Sequence, residues 1–282
     1  MSETERDLRD WPHEQTVYLT LDFECDFGTA LSENRYGAVE HVDRLVNLLE
    51  THGVPLTTFV QTELLEVKPD VVETLQTSQT EVAFHPHSHT HRPRSESSIG
   101  TELTRSTERY VEFFGEQPTG YRFPNGNITP ADYELLADHG YRFDASVFPS
   151  WRPNHFDNTD LPTRPHVLPD VGLVEIPFTV YADSVRIPTA LSYVRVLGKP
   201  FAVLLERRPP RTLIFNVHMH DLVTPPSYSE LSPLYKTIYA RNDHGFELLD
   251  RFLRRSRQAG YAFETLDGLA DSLQPNGTDY SR

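Results

Sequence analysis

Val17-Tyr-Leu-Thr-Leu-Asp22 is a short, β-rich run that ends in an acid. Behind it, Val39, Val42, Leu45, Val46, Leu48 and Leu49 recur at helical spacing over residues 38–51, and Gly53 supplies a stop. Pro55-Leu-Thr-Thr-Phe-Val60 then reads as a second strand. Strand, helix and strand in this order form the unit from which parallel sheets are built. The alternation continues outward. A helix starting near Pro69 leads to a strand at Glu81-Val-Ala-Phe84, and helices at about 98–114 and 130–139 alternate with strands at 119–122 and 141–144. After an irregular, proline-rich stretch at 149–170 come Leu173-Val-Glu-Ile176, a helix at about 190–207 and the strand Leu213-Ile-Phe-Asn-Val217. A helix at about 243–259 and a strand near Tyr261-Ala-Phe263 close the series. Some seven units in one α/β chain predict a single-domain barrel over residues 17–268, with a polar lead at 1–16 and a polar tail at 269–282.

Composition narrows the classes further. A chain of 282 residues can bury a full core without staples. Its one cysteine, Cys25, excludes a disulfide framework and a four-cysteine zinc site. The apolar runs fall far short of the roughly 18 residues of a membrane span. Met1-Ser-Glu-Thr-Glu-Arg-Asp7 has no apolar core behind it, so no signal peptide is expected and the cytoplasm is the default address. Twenty-six basic residues against 41 acidic ones leave a formal charge of −15, which argues against nucleic acid as a partner. Lysine occurs only at Lys68, Lys199 and Lys236. Such an acidic, lysine-poor chain resembles proteins of halophilic archaea, although a GC-rich genome also favours arginine.

In βα barrels the functional groups collect at the C-terminal ends of the strands. The first strand ends in Asp22-Phe-Glu24-Cys-Asp26, and alternation places Asp22 and Glu24 on one side, about 7 Å apart at the backbone. Two carboxylates facing one cleft repel unless a cation or a shared proton sits there; the plain alternative is a solvated acidic loop. The third strand runs into His85-Pro-His87-Ser-His89-Thr-His91, and two histidines spaced by four can converge on one ion. With a carboxylate from the first strand they form a two-histidine, one-carboxylate set that suits hydrolytic zinc and, equally, open-sited non-haem iron. Arg122, in Gly120-Tyr-Arg-Phe-Pro124, is suited to orient a carboxylate. The apolar strand near 213 delivers His218, a general-acid candidate, with His220 two residues on, and Asp144 is placed to hold such a histidine.

These strand ends, in this order, resemble the NodB-homology polysaccharide deacetylases, carbohydrate esterase family four. The resemblance runs from about residue 17 to 265 and rests on Thr20-Leu-Asp22-Phe-Glu24, Glu81-Val-Ala-Phe-His85-Pro-His-Ser-His89, Arg122-Phe-Pro124-Asn125, Asp144 in Phe-Asp-Ala-Ser-Val, and Ile214-Phe-Asn-Val-His218. It implies a distorted (β/α)7 barrel and metal-dependent removal of an acetyl group from an N-acetylated sugar. It further implies Asp22 as general base, Arg122 as its orienting partner, His218 as the acid and Asp144 as the residue that tunes it. A divalent metal, zinc in the first instance, is expected on His85, His89 and Glu24.

The chain also departs from the family pattern. The adjacent aspartate pair is absent, so Glu24 is the expected carboxylate ligand, with Asp26 in reserve. His87 and His91 match the histidine motif as well; the preceding Glu81-Val-Ala favours the pair His85 and His89. His220 competes with His218, though His218-x-x-Asp221 is more similar to a His-Pro-Trp-Glu variant of the motif. The family's tyrosine is Asn125, which leaves catalysis possible where that position contributes a backbone N–H. Two rival readings follow: an allantoinase-like amidohydrolase acting on a small nitrogen compound, and a glycan-binding protein whose catalytic site has decayed. Aromatic residues such as Trp151 and Tyr121 at the groove would favour a glycan.

Overall fold

Alternation along one central strand separates the two faces of the sheet. The computed structural model describes residues 7–92, 96–126, 128–152, 156–239 and 244–273. Its strands are β1 (Asp7–Leu8), β2 (Thr16–Phe23), β3 (Leu56–Gln61), β4 (Val82–Ser88), β5 (Gly120–Tyr121), β6 (Phe143–Asp144), β7 (Trp151–Arg152), β8 (Phe156–Asp157), β9 (His166–Leu168), β10 (Leu173–Glu175), β11 (Thr212–His218) and β12 (Ala262–Glu264). All eight residues of β2 are buried. Val17, Leu19, Leu21 and Phe23 pack outward with Val42, Leu45 and Leu49 of the helix Val42–His52 and with Leu249 and Leu253 of the helix Gly245–Gln258. Tyr18 faces the other way, into an inner cluster with Phe59, Phe143, Phe178 and Ile214. Each fully buried side chain of this kind stabilises the fold by about 1.5–3 kcal/mol before entropy is counted.

Strands β11, β2, β3 and β4 form a parallel run, and β12 lies against the first half of β2. A second sheet orders β5, β6 and β10 in parallel and adds β9 and β1 antiparallel at its edge. The Arg122 amide donates to the Pro86 carbonyl at 3.3 Å, stitching the segment after β5 to β4. The result is a single α/β domain whose parallel sheet curls into a half-barrel, in keeping with the distorted barrel expected from the sequence.

Several boundaries differ from the sequence expectation, each for a local reason. The helix expected over 190–207 is two helices, Leu191–Leu197 and Lys199–Arg207, because Gly198 has φ 70° and ψ −159° and Pro200 sits in the first turn of the second. Leu8 and Asp7 of the expected lead pair with β9. The helix Leu266–Leu273 runs five residues beyond 268 and buries Leu266, Leu269, Ala270 and Leu273. The rest of the lead, 1–6, and of the tail, 274–282, lie outside the described residues. Strand β4 runs on to Ser88, four residues past the expected end, through a bulge: Val60 pairs with Pro86 and Gln61 with Ser88, so His87 is the extra residue. That bulge decides the site.

Candidate active site

Strand register sets the depth of each polar side chain. Asp22 pairs with Phe59 and Phe59 with His85, so these three occupy one level inside the curl. At that depth His85 is a core residue. Its Nε2 lies 3.0 Å from Asp267 Oδ2, its Nδ1 accepts the Gly120 amide, and its ring packs on Phe59 and Phe143. His89 turns away as well, with Nδ1 3.1 Å from the Thr62 hydroxyl. The expected ligand pair His85 and His89 is therefore not brought to Glu24. A β-bulge breaks the two-residue alternation and re-aims a side chain, and here it aims His87.

Glu24, His87 and His91 converge instead, all buried, with donor atoms within 4.8 Å of one another. Glu24 Oε2 stands 2.5 Å from His91 Nδ1 and 3.3 Å from His87 Nε2. Yet Glu24 Oε2, His87 Nδ1 and both ring nitrogens of His91 make no well-formed hydrogen bond among the described residues. Buried polar atoms left in this state are costly, and two imidazoles with one carboxylate are the donor set of a catalytic zinc site. The three residues fit a divalent cation. Burial raises the Glu24 carboxyl pKa, but the two histidines outweigh it and hold the group well below the usual carboxylate range. Asp26 is occupied elsewhere: it accepts from the amides of Gly37 and Ala38 and from the Ser227 hydroxyl.

Beside this cluster Asp22 is fixed on both oxygens. Arg122 Nη1 donates to Oδ1 at 2.7 Å and Asn216 Nδ2 to Oδ2 at 2.9 Å. Arg122 is itself held between the rings of Phe59 and Phe178, 3.9 and 4.4 Å from their centroids. Against the cost of burial, Arg122 and His218 keep Asp22 far below its ordinary pKa. His218, at the tip of β11, presents Nε2 3.4 Å from Asp22 Oδ2 and 3.9 Å from Glu24 Oε1. Its Nδ1 lies 2.8 Å from Asp221 Oδ2, and Asp221 is paired at 2.7 Å with buried Arg195. Burial disfavours the charged imidazole, but Asp22 and Asp221 more than offset it and raise His218 well above its usual value. Asp221 is lowered to about 2, burial being outweighed by His218 and Arg195. His220 accepts the Phe27 amide on Nδ1 and packs on Phe27 and Tyr239; burial first, then charged His218, lowers it to about 4.

Asp144 is not at His218. It accepts the Ser146 amide and hydroxyl, and the Ser146 Oγ accepts the Phe123 amide, so Asp144 supports the turn Phe123-Pro124-Asn125 from below. The placement follows from the topology: β6 ends at Asp144 beside Glu175 of β10, in the other sheet from β11. The residue that does orient His218, Asp221, carried a readable signal in its i, i+3 spacing. Asn216, Arg195 and Glu175 carried none. Three of the non-glycine residues with positive φ, Phe27 (60°), His91 (54°) and Asn125 (59°), belong to these site loops, where such strain characteristically collects.

Residues 10–143 match the family model described as polysaccharide deacetylase. That span, just under half of the chain, is what is similar to the family. The matched span holds Asp22, Glu24, His87, His91 and Arg122, whereas His218 and Asp221 lie outside it. A peptidoglycan deacetylase of Helicobacter pylori is 26% identical over 119 residues, 42% of this chain and 40% of that protein. The chain spans about half the length of the curated relatives it matches, 51% and 40%. Two solved structures are similar in fold. A family 4 carbohydrate esterase from Bacillus anthracis has TM-score 0.52 and 16% identity, covering 94% of this chain and 86% of its own. An allantoinase has TM-score 0.56 and 15% identity, covering 93% and 91%. No helix among the described residues is long and apolar enough to cross a membrane.

Proposed function

We propose that this chain is a metal-dependent hydrolase that removes acetyl groups from N-acetylated sugars. The observation that carries the reading is the convergence of Glu24, His87 and His91 next to Asp22 and His218. Those three residues would hold the ion, and zinc suits two imidazoles and a carboxylate. When bound, the ion supplies Lewis acidity toward the acetyl carbonyl and makes a water acidic enough to lose a proton near neutral pH. Asp22, kept ionised by Arg122, accepts that proton at Oδ2, the oxygen facing His218. Asn216 and Arg122 prevent the carboxylate from turning away. His218, kept protonated by Asp22 and Asp221, donates from Nε2 to the sugar nitrogen as the C–N bond breaks, so that water and amide become acetate and amine. The Arg195–Asp221 pair fixes the ring so that Nε2 remains the donor.

The test is acetate release from N-acetylglucosamine oligomers by protein loaded with Zn2+, set against metal-stripped protein. Acetate formed only by the loaded protein supports the reading. Hydrolysis of allantoin without acetate release would place the chain among amidohydrolases of small nitrogen compounds. Neither product from metal-loaded, folded protein would leave a glycan-binding role.

A further inference from the structure

The ladder that carries His87 stops at Ser88, three residues before His91. Beyond it the chain is tied on one side to the segment after β3, where the Glu63 amide donates to the His89 carbonyl and the Thr62 amide to the Ser88 carbonyl. On the other side, among the described residues, no strand supplies acceptors for the amides of His89 and Thr90. A single side chain does. Glu102, 8% exposed on the helix Ile99–Phe114, accepts on Oε2 from the His89 amide at 3.1 Å and the Thr90 amide at 2.9 Å. Its Oε1 accepts the hydroxyls of Thr90 at 2.9 Å and Ser97 at 3.0 Å. The Thr90 carbonyl is held in turn by Asn34 Nδ2 at 2.8 Å. His91 follows at φ 54°, a conformation that an L residue keeps only where its surroundings enforce it.

We infer that Glu102 is a positioning residue for the metal centre: its carboxylate substitutes for a missing strand and fixes the backbone that presents His91 to Glu24. This role rests on the metal-centre reading above. The arrangement has a chemical signature. Both partners of Oε2 are amides, which can only donate, whereas both partners of Oε1 are hydroxyls, which can rotate to accept. A glutamine therefore satisfies the same four groups, with its oxygen on the amides and its NH2 on the hydroxyls. An alanine satisfies none.

Titration of the metal-stripped full-length chain with Zn2+, in competition with a chromophoric chelator, reads the effect without any substrate. Glu102→Ala is expected to weaken Zn2+ binding by about 10–100-fold, the range found for lost outer hydrogen-bond partners. Glu102→Gln is expected to stay within about threefold of the unaltered chain. If the alanine variant does not fold, Glu102→Asp replaces it; one methylene shorter, it cannot reach both amides and is expected to fall between the two. A purely structural role would lower the melting point of the apo alanine variant and leave its Zn2+ affinity unchanged, which would overturn the assignment. Glutamine binding as weakly as alanine would overturn it too. Unaltered protein that takes up no Zn2+ would overturn the metal centre itself. Normal uptake by Glu102→Ala alongside loss in His91→Ala would overturn only the part assigned to Glu102.

Discussion

His85 and His87 are two residues apart and do different work. The first is locked to Asp267 and Gly120 within the curl, and the second, the extra residue of the bulge, faces Glu24. Alanine at His87 or His91 is expected to abolish most Zn2+ uptake, and alanine at His85 or His89 to leave it within about threefold. Metal analysis after dialysis checks both halves; retention in the His87 and His91 variants would return the site to the other register. The sequence spacing fits either pair, because four histidines at every second position contain two i, i+4 sets. What separates them is one unpaired residue in β4, and a bulge has no composition that an alternation pattern can read. Asp22, Glu24, Arg122 and His218 were legible because each sits at a strand end where the apolar run stops. Asp221 is the residue that orients His218, so Asp221→Asn is expected to keep the metal and lower acetate release on the order of 10²-fold. An unchanged rate in that variant would remove Asp221 from the site.

Elements with a clear period could be read and short ones could not. β2, β3 and β11 are apolar and long enough to announce themselves, whereas β1, β7, β8 and β9 have two or three residues each and owe their existence to their neighbours. The pairing of β6 with β10 has a further effect. It sets Asp144 beside Glu175, both fully buried. Burial first, and then the neighbouring Asp144, lift Glu175 well above the usual carboxylate range, and burial raises Asp144 as well. Since the folded-state value of Glu175 lies above the unfolded one, the pair contributes its stability in acid and loses it as pH rises through the folded value. Glu175→Gln, which cannot ionise, is expected to show a smaller fall in thermal midpoint between pH 5 and pH 9 than the unaltered chain. Parallel pH profiles for the two proteins would show that the pair does not share a proton.

At the scale of the whole molecule the governing quantity is a net charge of −15. Exposed ion pairs such as Arg211–Glu14 and Arg164–Asp10 contribute little on their own. Self-repulsion among the surplus acids acts over about 10 Å at 0.1 M salt and about 3 Å at 1 M. Screening is therefore expected to stabilise the compact state, and the melting temperature should rise steadily from low salt to molar KCl. A series in an uncharged osmolyte of matched water activity separates screening from general solute exclusion. A midpoint that stays flat or falls in KCl would show that charge repulsion does not limit this fold.

The place of β2 in the sheet has a consequence for how the chain is made. β2 is complete at residue 23, yet one of its edges is covered by β11, which ends at residue 218, and the first part of the other edge by β12, which ends at residue 264. At about 5–20 residues per second, a ribosome takes on the order of 10–40 s to travel from the first strand to β11. Throughout that interval Val17, Leu19, Leu21 and Phe23 belong to an apolar strand with an unpaired edge, the kind of surface that joins other chains. The central strand of the finished protein is thus the nascent chain's longest-lived hazard, and synthesis of this protein should draw on chaperones until its last quarter emerges.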